Sequence, residues 1–530
     1  MKKRLITSIA ALAAALSLAA CGSGNGAAGN TAASAGTSQA AQAGDTALQA
    51  DTASTAEETA GKDGGTFTYG LATELDNFDP FTATTADAKS IYFNIYEGLV
   101  RVQPDGTFTG AVASDYKVSD DAKTYTFTLR DGIRFHNGNP VTTDDVLYSI
   151  QLAIDSKING YDNIDKFEAT DDKTIVITLK KGDTSFLADA TQAIVPKGSD
   201  DNHELAQKPI GTGPFKFTEY AVQDHVTLDR FDDYWGTPAH LDEVVVKFLA
   251  SSSDYIVNFQ SGAIDGFTAD ASITEQVDKN SAVLNVGNSN AVQALYLNNA
   301  KAPFDNADVR RAICYAVNPD DIINLVDYGY GTKIGTAMIP GLSAYYNDSL
   351  ASTYATDADK AKELLAKAGY PDGIEFTVTV PSSYQVHLDT AQVLVNELAD
   401  AGITMNISQV DWATWLQNVY TNRDYEATII SVDGATPSPT AFLSRYRSDA
   451  DNNFVNYKSD DFDAAYDKAV AEVDETKREQ DFKDCEKILT DDAASAYLQD
   501  VANILVCRKG FSGYQGYPLY AVDFSAISKD

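Results

Sequence analysis

Along residues 361–432 the apolar side chains switch between two spacings, and that alternation narrows the fold more than any other feature of the chain. Ala361, Leu364, Leu365 and Ala368 recur at helical intervals, and Gly369 with Pro371 ends that helix. Phe376, Val378 and Val380 then alternate with polar neighbours, as a half-buried strand does. A second helix is predicted over about residues 389–401, stopped at Gly402, before Ile403, Met405 and Ile407 alternate again. A short helix over residues 412–420 and a strand over residues 425–432 complete the series. Strands separated by helices lie parallel, each helix carrying the chain back across the sheet, so this stretch is an α/β unit.

Upstream the pattern differs. Asp120-Asp121-Ala122-Lys123 leads into Tyr125, Phe127 and Leu129 alternating with Thr126, Thr128 and Arg130, and Asp171-Asp172-Lys173 leads into Ile175, Ile177 and Leu179 in the same way. Acid-rich turns followed by period-two alternation predict half-buried strands. Asn318-Pro319-Asp320-Asp321 predicts a helix start, with an N-cap, a proline at the first helical position and acids in the first turn. At 530 residues the chain exceeds what one core usually supports, so it holds at least two α/β units with a β-rich insertion in the first.

The first residues form an address. Lys2, Lys3 and Arg4 precede an apolar run over residues 5–20, which is the form of a secretory signal peptide. Leu18-Ala19-Ala20-Cys21-Gly22 resembles the bacterial lipobox, in which the cysteine is acylated and becomes the first residue, so residues 1–20 are predicted to be removed and Cys21 to carry the lipid. Residues 21–63, rich in Ala, Gly, Ser, Thr and Gln, bury too little to fold and are expected to be a flexible tether to the outer face of the cell membrane. Three further cysteines remain, Cys314, Cys485 and Cys507. Cys485 shares a helical face with Phe482, Ile488 and Leu489, which predicts a buried thiol; a Cys485–Cys507 bridge stays open at this stage.

Forty Lys and Arg against 76 Asp and Glu give a net charge of −36, which argues against a nucleic-acid partner. Hydrophobic residues at 44% and aromatics at 10% are too many for a disordered acidic chain. The five histidines form no H-E-x-x-H, no cysteines have zinc spacing, and no G-x-S-x-G, Walker A or EF-hand loop is present. The expectation is a protein without metal, cofactor or catalytic centre.

Six stretches, taken in order, resemble the solute-binding proteins of family 5, the oligopeptide, dipeptide and nickel binders that serve ABC importers. They are Ile95-Tyr96-Glu97-Gly98-Leu99-Val100; the block from Val118 through TYTFTLRDGIRFHNG at residues 124–138 to PVTTDDV at 140–146; Gly211-Thr212-Gly213-Pro214-Phe215; Asp233-Tyr234-Trp235-Gly236; residues 304–316; and Ala368-Gly369-Tyr370-Pro371-Asp372-Gly373. The resemblance implies an α/β, bilobal periplasmic-binding-protein-like fold (class II, cluster C type) with an extra β-rich subdomain in lobe one. Lobe one would comprise residues 64–98, 210–290 and 497–530, the extra subdomain residues 99–209, and lobe two residues 291–496. It also implies a monomer that captures peptides between the lobes and delivers them to an importer's permease and ATPase. The alternatives are a metal chelate, oligosaccharide or opine-like cargo on the same fold, or a cell-surface hydrolase.

By the same resemblance, Asp433 in Ser431-Val432-Asp433-Gly434-Ala435 would hold a peptide's α-amino group, although this loop lacks the family's preceding Trp and is longer before Phe442. The other reading of Asp433 is an Asp-Gly turn. Trp412, in a W-x-x-aromatic-L helix start, would face the ligand, while Trp415 is expected in the core. Thr82, Thr84 and Thr85 match a loop that contacts peptide backbone, with an N-cap as the alternative. Tyr384 lies on a segment that in dipeptide binders supplies an arginine, absent here; Arg423 and Arg445 are the candidate substitutes.

Overall fold

The computed structural model describes residues 62–530 except 72, 73, 76, 84, 250, 435 and 520. The basic flank, the apolar run, Cys21, Thr84 and nearly all of the tether lie outside the described residues. Among the described residues no helix is long and apolar enough to cross a membrane.

One eleven-stranded sheet organises the fold. From one edge its strands are Ile403–Val410, Ile374–Pro381 and Ala427–Asp433, then two long strands, Ala282–Leu297 and Ser495–Arg508. Beyond these come Gly266–Ala269, Thr66–Leu71, Glu243–Phe248, His225–Arg230 and Phe215–Ala221, and Thr332–Lys333 branches onto the second long strand. The strands predicted at residues 376–380, 403–407 and 425–432 are present and parallel, with Ile374 opposite Ile403 and Val378 opposite Ala427. Of the two predicted helices, Ala358–Lys367 precedes these strands and Gln385–Asp400 crosses over between Ile374–Pro381 and Ile403–Val410. The second starts at Gln385, ahead of the predicted Asp389, because His387 and Leu388 turn inward and extend its buried face. The short helix spans Trp412–Trp415 and continues as a wider π-type turn over Leu416–Thr421.

The two long strands cross the whole molecule. Residues 282–288 of the first pair with 502–508 of the second, and residues 292–296 pair with 495–500, with a register shift between Asn288 and Val292 where Asn290 takes a left-handed backbone (φ 59°). The core divides at this shift. Phe67, Tyr69, Val244, Val246, Leu505 and Phe524 pack in one cluster, whereas Leu295, Val378, Leu394 and Leu498 pack in another. A third cluster, around Trp415, Tyr446, Phe482 and Cys485, lies on the second side.

The insertion forms a separate four-stranded antiparallel sheet in which Thr124–Leu129 and Thr174–Leu179 are the central pair. Tyr125, Phe127, Ile175 and Ile177 point inward and are fully or almost fully buried, as their alternation predicts. Their core is continuous with that of the first half. All three described cysteines are free and buried, so the Cys485–Cys507 bridge left open by the sequence is not formed. The physical reason is separation: Cys485 belongs to the helix Glu475–Asp491 in one core, Cys507 to a long strand in the other.

Candidate ligand-binding cleft

Between the two halves lies a cleft of about 770 Å³. Tyr69, Tyr255 and Asp270 line it from one side, Tyr384, His387, Trp412 and Asp433 from the other, and Ser289, Ala291 and residues 501–503 of the long strands meet it at the crossing. Past Asp433 it continues into a second recess of about 860 Å³.

Local physics sets each wall residue. The Asp411 carboxylate accepts the Thr414 N–H at 2.9 Å and the Thr414 hydroxyl at 2.7 Å, capping the helix so that Trp412 occupies its first position. The hydroxyl bond chief among these holds the Asp411 carboxyl below the usual carboxylate range. Trp412 remains 39% exposed and stacks on buried Trp415, ring centroids 5.1 Å apart at 6°. The Trp415 indole N–H donates to Thr428 Oγ1 at 2.9 Å, which fixes the platform on the sheet. Tyr384, 41% exposed, meets Trp412 edge to face at 5.5 Å. Two large exposed aromatics set edge to face on one wall present apolar surface suited to a planar or apolar ligand group.

Asp433 ends the strand Ala427–Asp433, opposite Ala291. Its exposed carboxylate faces both the cleft and the recess. Gly434 follows for reasons of space, since a Cβ there would lie 2.7 Å from the Phe442 ring. Phe442 is buried in the helix Pro439–Leu443, so the glycine lets the loop lie against the lobe.

The remaining predicted site residues sit elsewhere. The Thr85 side chain accepts the Ala88 N–H at 3.3 Å and caps the helix Ala86–Tyr92, and Thr82 donates to Asp79 at 2.7 Å while accepting from Asn77 at 3.1 Å. Neither lines the cleft; Asp87, on the same segment, does. Arg423 donates to the Asp451 carbonyl at 2.7 Å, away from the cleft, whereas Arg445 lines the recess. Among the described residues no cluster of His, Cys, Asp and Glu could hold a metal ion.

Tyr69, Tyr255, Asp270 and His387 are among the cleft residues that were not foreseen. His387 is almost fully buried; its Nε2 accepts the Ser431 N–H at 3.3 Å and its Nδ1 lies 2.9 Å from Gln293 Nε2. Burial pulls its pKa down to about 4, so it is neutral at physiological pH. Gln293 continues to Gln499 at 2.9 Å, and Gln499 to Asp327. Beside this chain Asp500 sits at the register shift, wholly buried, accepting from the Ala291 N–H at 3.2 Å and the Ser289 hydroxyl at 3.0 Å.

A sheet shared by two lobes, with a ligand-sized cleft where long strands cross, defines a binding protein of the two-lobed kind. The chain belongs to the bacterial extracellular solute-binding proteins of family 5, whose middle region matches residues 107–454. It is similar to heme-binding protein A of Haemophilus influenzae, 27% identical over 531 residues, covering 90% of this chain and 95% of the relative. It is also similar to the glutathione-binding protein GsiB of Escherichia coli, 29% identical over 355 residues, covering 64% of this chain and 69% of the relative. Among solved structures, the ABC transporter-associated periplasmic binding protein DppA of Helicobacter pylori, in complex with the peptide STSA, matches with a TM-score of 0.70 at 28% identity, covering 88% of this chain and 98% of that one.

Proposed function

We propose that the protein is a lipid-anchored extracytoplasmic receptor that captures peptides between its lobes and delivers them to an ABC importer, without catalysing a reaction. Cys21 carries the anchor, and the lobes divide near residue 290 and a few residues after 496, a reading supported by Leu498 packing with Leu295 and Val378. The observation that carries this reading is the convergence of Trp412, Tyr384 and Asp433 on one wall of the cleft. An extended peptide presents backbone groups that such a cleft satisfies without reading side chains, and an exposed carboxylate answers its α-ammonium. The peptide-bound relative supports the choice of cargo.

The test is calorimetry on wild type and Asp433→Ala with one peptide, free and N-acetylated. Removing one partner of a desolvated charge pair costs about 2–5 kcal/mol, so the free peptide loses roughly 30-fold or more in the variant. The acetylated peptide binds wild type weakly and loses little further. Equal affinity in all four combinations refutes amino-terminal capture. A second reading, the same receptor with a non-peptide cargo, is favoured by the relative named for heme. Native mass spectrometry of protein purified without denaturation separates the two by the mass of retained cargo.

A further inference from the structure

Negative charge gathers on both walls of the cleft. Asp87 and Asp270 line it on the lobe-one side and Asp433 on the other, while no lysine or arginine stands among the described residues that line it. His387, neutral through its burial, adds no positive charge. Lys89, Lys181 and Arg445 face the recess instead. A peptide's α-ammonium at Asp433 answers only one of these carboxylates.

Asp270 follows the strand Gly266–Ala269 and takes the N-cap position of the single turn Ala271–Thr274, yet its side chain accepts no capping N–H. Among the described residues its carboxylate has neither a hydrogen bond nor an ion pair. It is open to the cleft but enclosed by the walls closely enough that desolvation raises its pKa above the usual carboxylate range. Beside it Tyr255, only 8% exposed, is held by stacking on Phe267, ring centroids 5.0 Å apart at 12°. Burial first, then the charges of Asp87 and Asp270, raise the pKa of the Tyr255 hydroxyl, so the three groups stand within electrostatic reach of one another. A tyrosine this deeply buried ordinarily gives its hydroxyl a partner. This one has none among the described residues and faces the cleft, with lone pairs to offer a cationic N–H.

Cargo that fills the cleft displaces the water around these groups, and a carboxylate stripped of water without a cation is costly. Resting on the reading that a peptide's amino terminus meets Asp433, we infer that Asp270 and Tyr255 form a second subsite, which takes the cationic side chain of a lysine or arginine. Asp87 adds negative potential there, and Leu71 and Ile273 offer apolar surface to the aliphatic stem. In the sheet the strand that ends at Asp433 and the strand before Asp270 are separated by the two long strands, three steps of about 4.8 Å, so their backbones stand roughly 14 Å apart. An extended chain advances about 3.3–3.6 Å per residue, which puts the basic side chain on the second or third residue rather than the first. The ligand class is a peptide with a lysine or arginine close behind a free amino terminus.

Calorimetry on the full chain tests this at about 0.15 M salt, where screening over about 8 Å limits the pull of the chain's many other acids. The probes are Ala-Lys-Ala-Ala and Ala-Ala-Lys-Ala, with norleucine counterparts that keep the stem and lose the charge. In wild type the better lysine peptide is expected to bind at least about tenfold tighter than its norleucine counterpart, the scale of a hydrogen bond to a charged group. Asp270→Asn erases that ratio and Tyr255→Phe lowers it, whereas Asp433→Ala weakens both peptides and leaves the ratio in place. Equal affinity of each lysine peptide and its counterpart in wild type overturns the second subsite, whatever the folding of the variants. A ratio that survives in Asp270→Asn overturns it as well, and both results leave amino-terminal capture standing. Norleucine peptides that bind Asp433→Ala as tightly as wild type overturn amino-terminal capture, and the lysine ratio then still decides the second subsite. No binding of any probe overturns both.

Discussion

Asp500 gives the sharpest test of how the crossing of the two lobes is held. Its carboxyl is wholly buried at the register shift, accepts from Ala291 and Ser289 through one oxygen, and leaves the other without a partner. Burial therefore outweighs those bonds and raises its pKa from 3.8 to about 7. At 1.36 kcal/mol per pH unit that rise is worth roughly 4 kcal/mol. The sign follows from proton counting: between the two values the native state holds a proton that the unfolded chain has released, so stability falls as pH rises. Its contribution is fully present below about pH 4 and lost as pH climbs through 7. Asp500→Asn keeps an acceptor toward Ala291 and Ser289, removes the titration and places an amide at the unpartnered oxygen. Urea unfolding of wild type and Asp500→Asn, run at intervals from pH 4 to pH 8, reads the difference directly. The variant is expected to gain on wild type with rising pH, by an amount on the order of 4 kcal/mol at pH 8. Parallel curves, or a gap that widens toward acid, refute an un-ionised Asp500 at the crossing.

Three further outcomes are expected. Trp412→Ala should cost about tenfold or more in cargo affinity with little change in stability, whereas Trp415→Ala, which empties a buried site, should cost about 3–5 kcal/mol of folding free energy; equal stability losses in the two would contradict the division of roles. Gly434→Ala forces a Cβ against the Phe442 ring, so it should cost about 1–3 kcal/mol by thermal denaturation and weaken cargo binding together, and an unchanged melting temperature would show that the loop has room to spare. Cys21→Ala should move the protein from the membrane fraction to the soluble fraction, and a variant retained by membranes through a high-salt wash would rule the anchor out.

The periodic segments were legible because period reports burial of one face, and residues 361–432 bury one face at a time. Asn318 capping its helix was legible for the same local reason. The opposite wall of the cleft was not. Tyr69, Tyr255 and Asp270 come from segments far apart in the chain, brought together by parallel pairing of Thr66–Leu71 with Gly266–Ala269 and Glu243–Phe248, and no spacing in the sequence encodes that meeting. Thr82 and Thr85 show the reverse, since their hydroxyls answer nearby groups of their own segment before any ligand. His387 carried no signal because its role depends on Gln293 and Ser431, each in a different element. Arg445 became distinguishable from Arg423 only once the partners of each were known.

The lobes are joined by hydrogen-bonded neighbours in one sheet, and this restricts the paths along which they can approach. Two independent linkers would permit twisting, sliding and hinging alike. Strands 282–297 and 495–508 stay laddered on both sides of the shift between Asn288 and Val292, so sliding one lobe past the other would break many bonds at once. Bending at the interrupted ladder breaks few. Any approach of the lobes is thereby reduced to nearly one coordinate, and the ordered backbone at the crossing has little conformational entropy left to lose in it. A receptor built this way spends its cargo's binding energy on contacts rather than on ordering a joint.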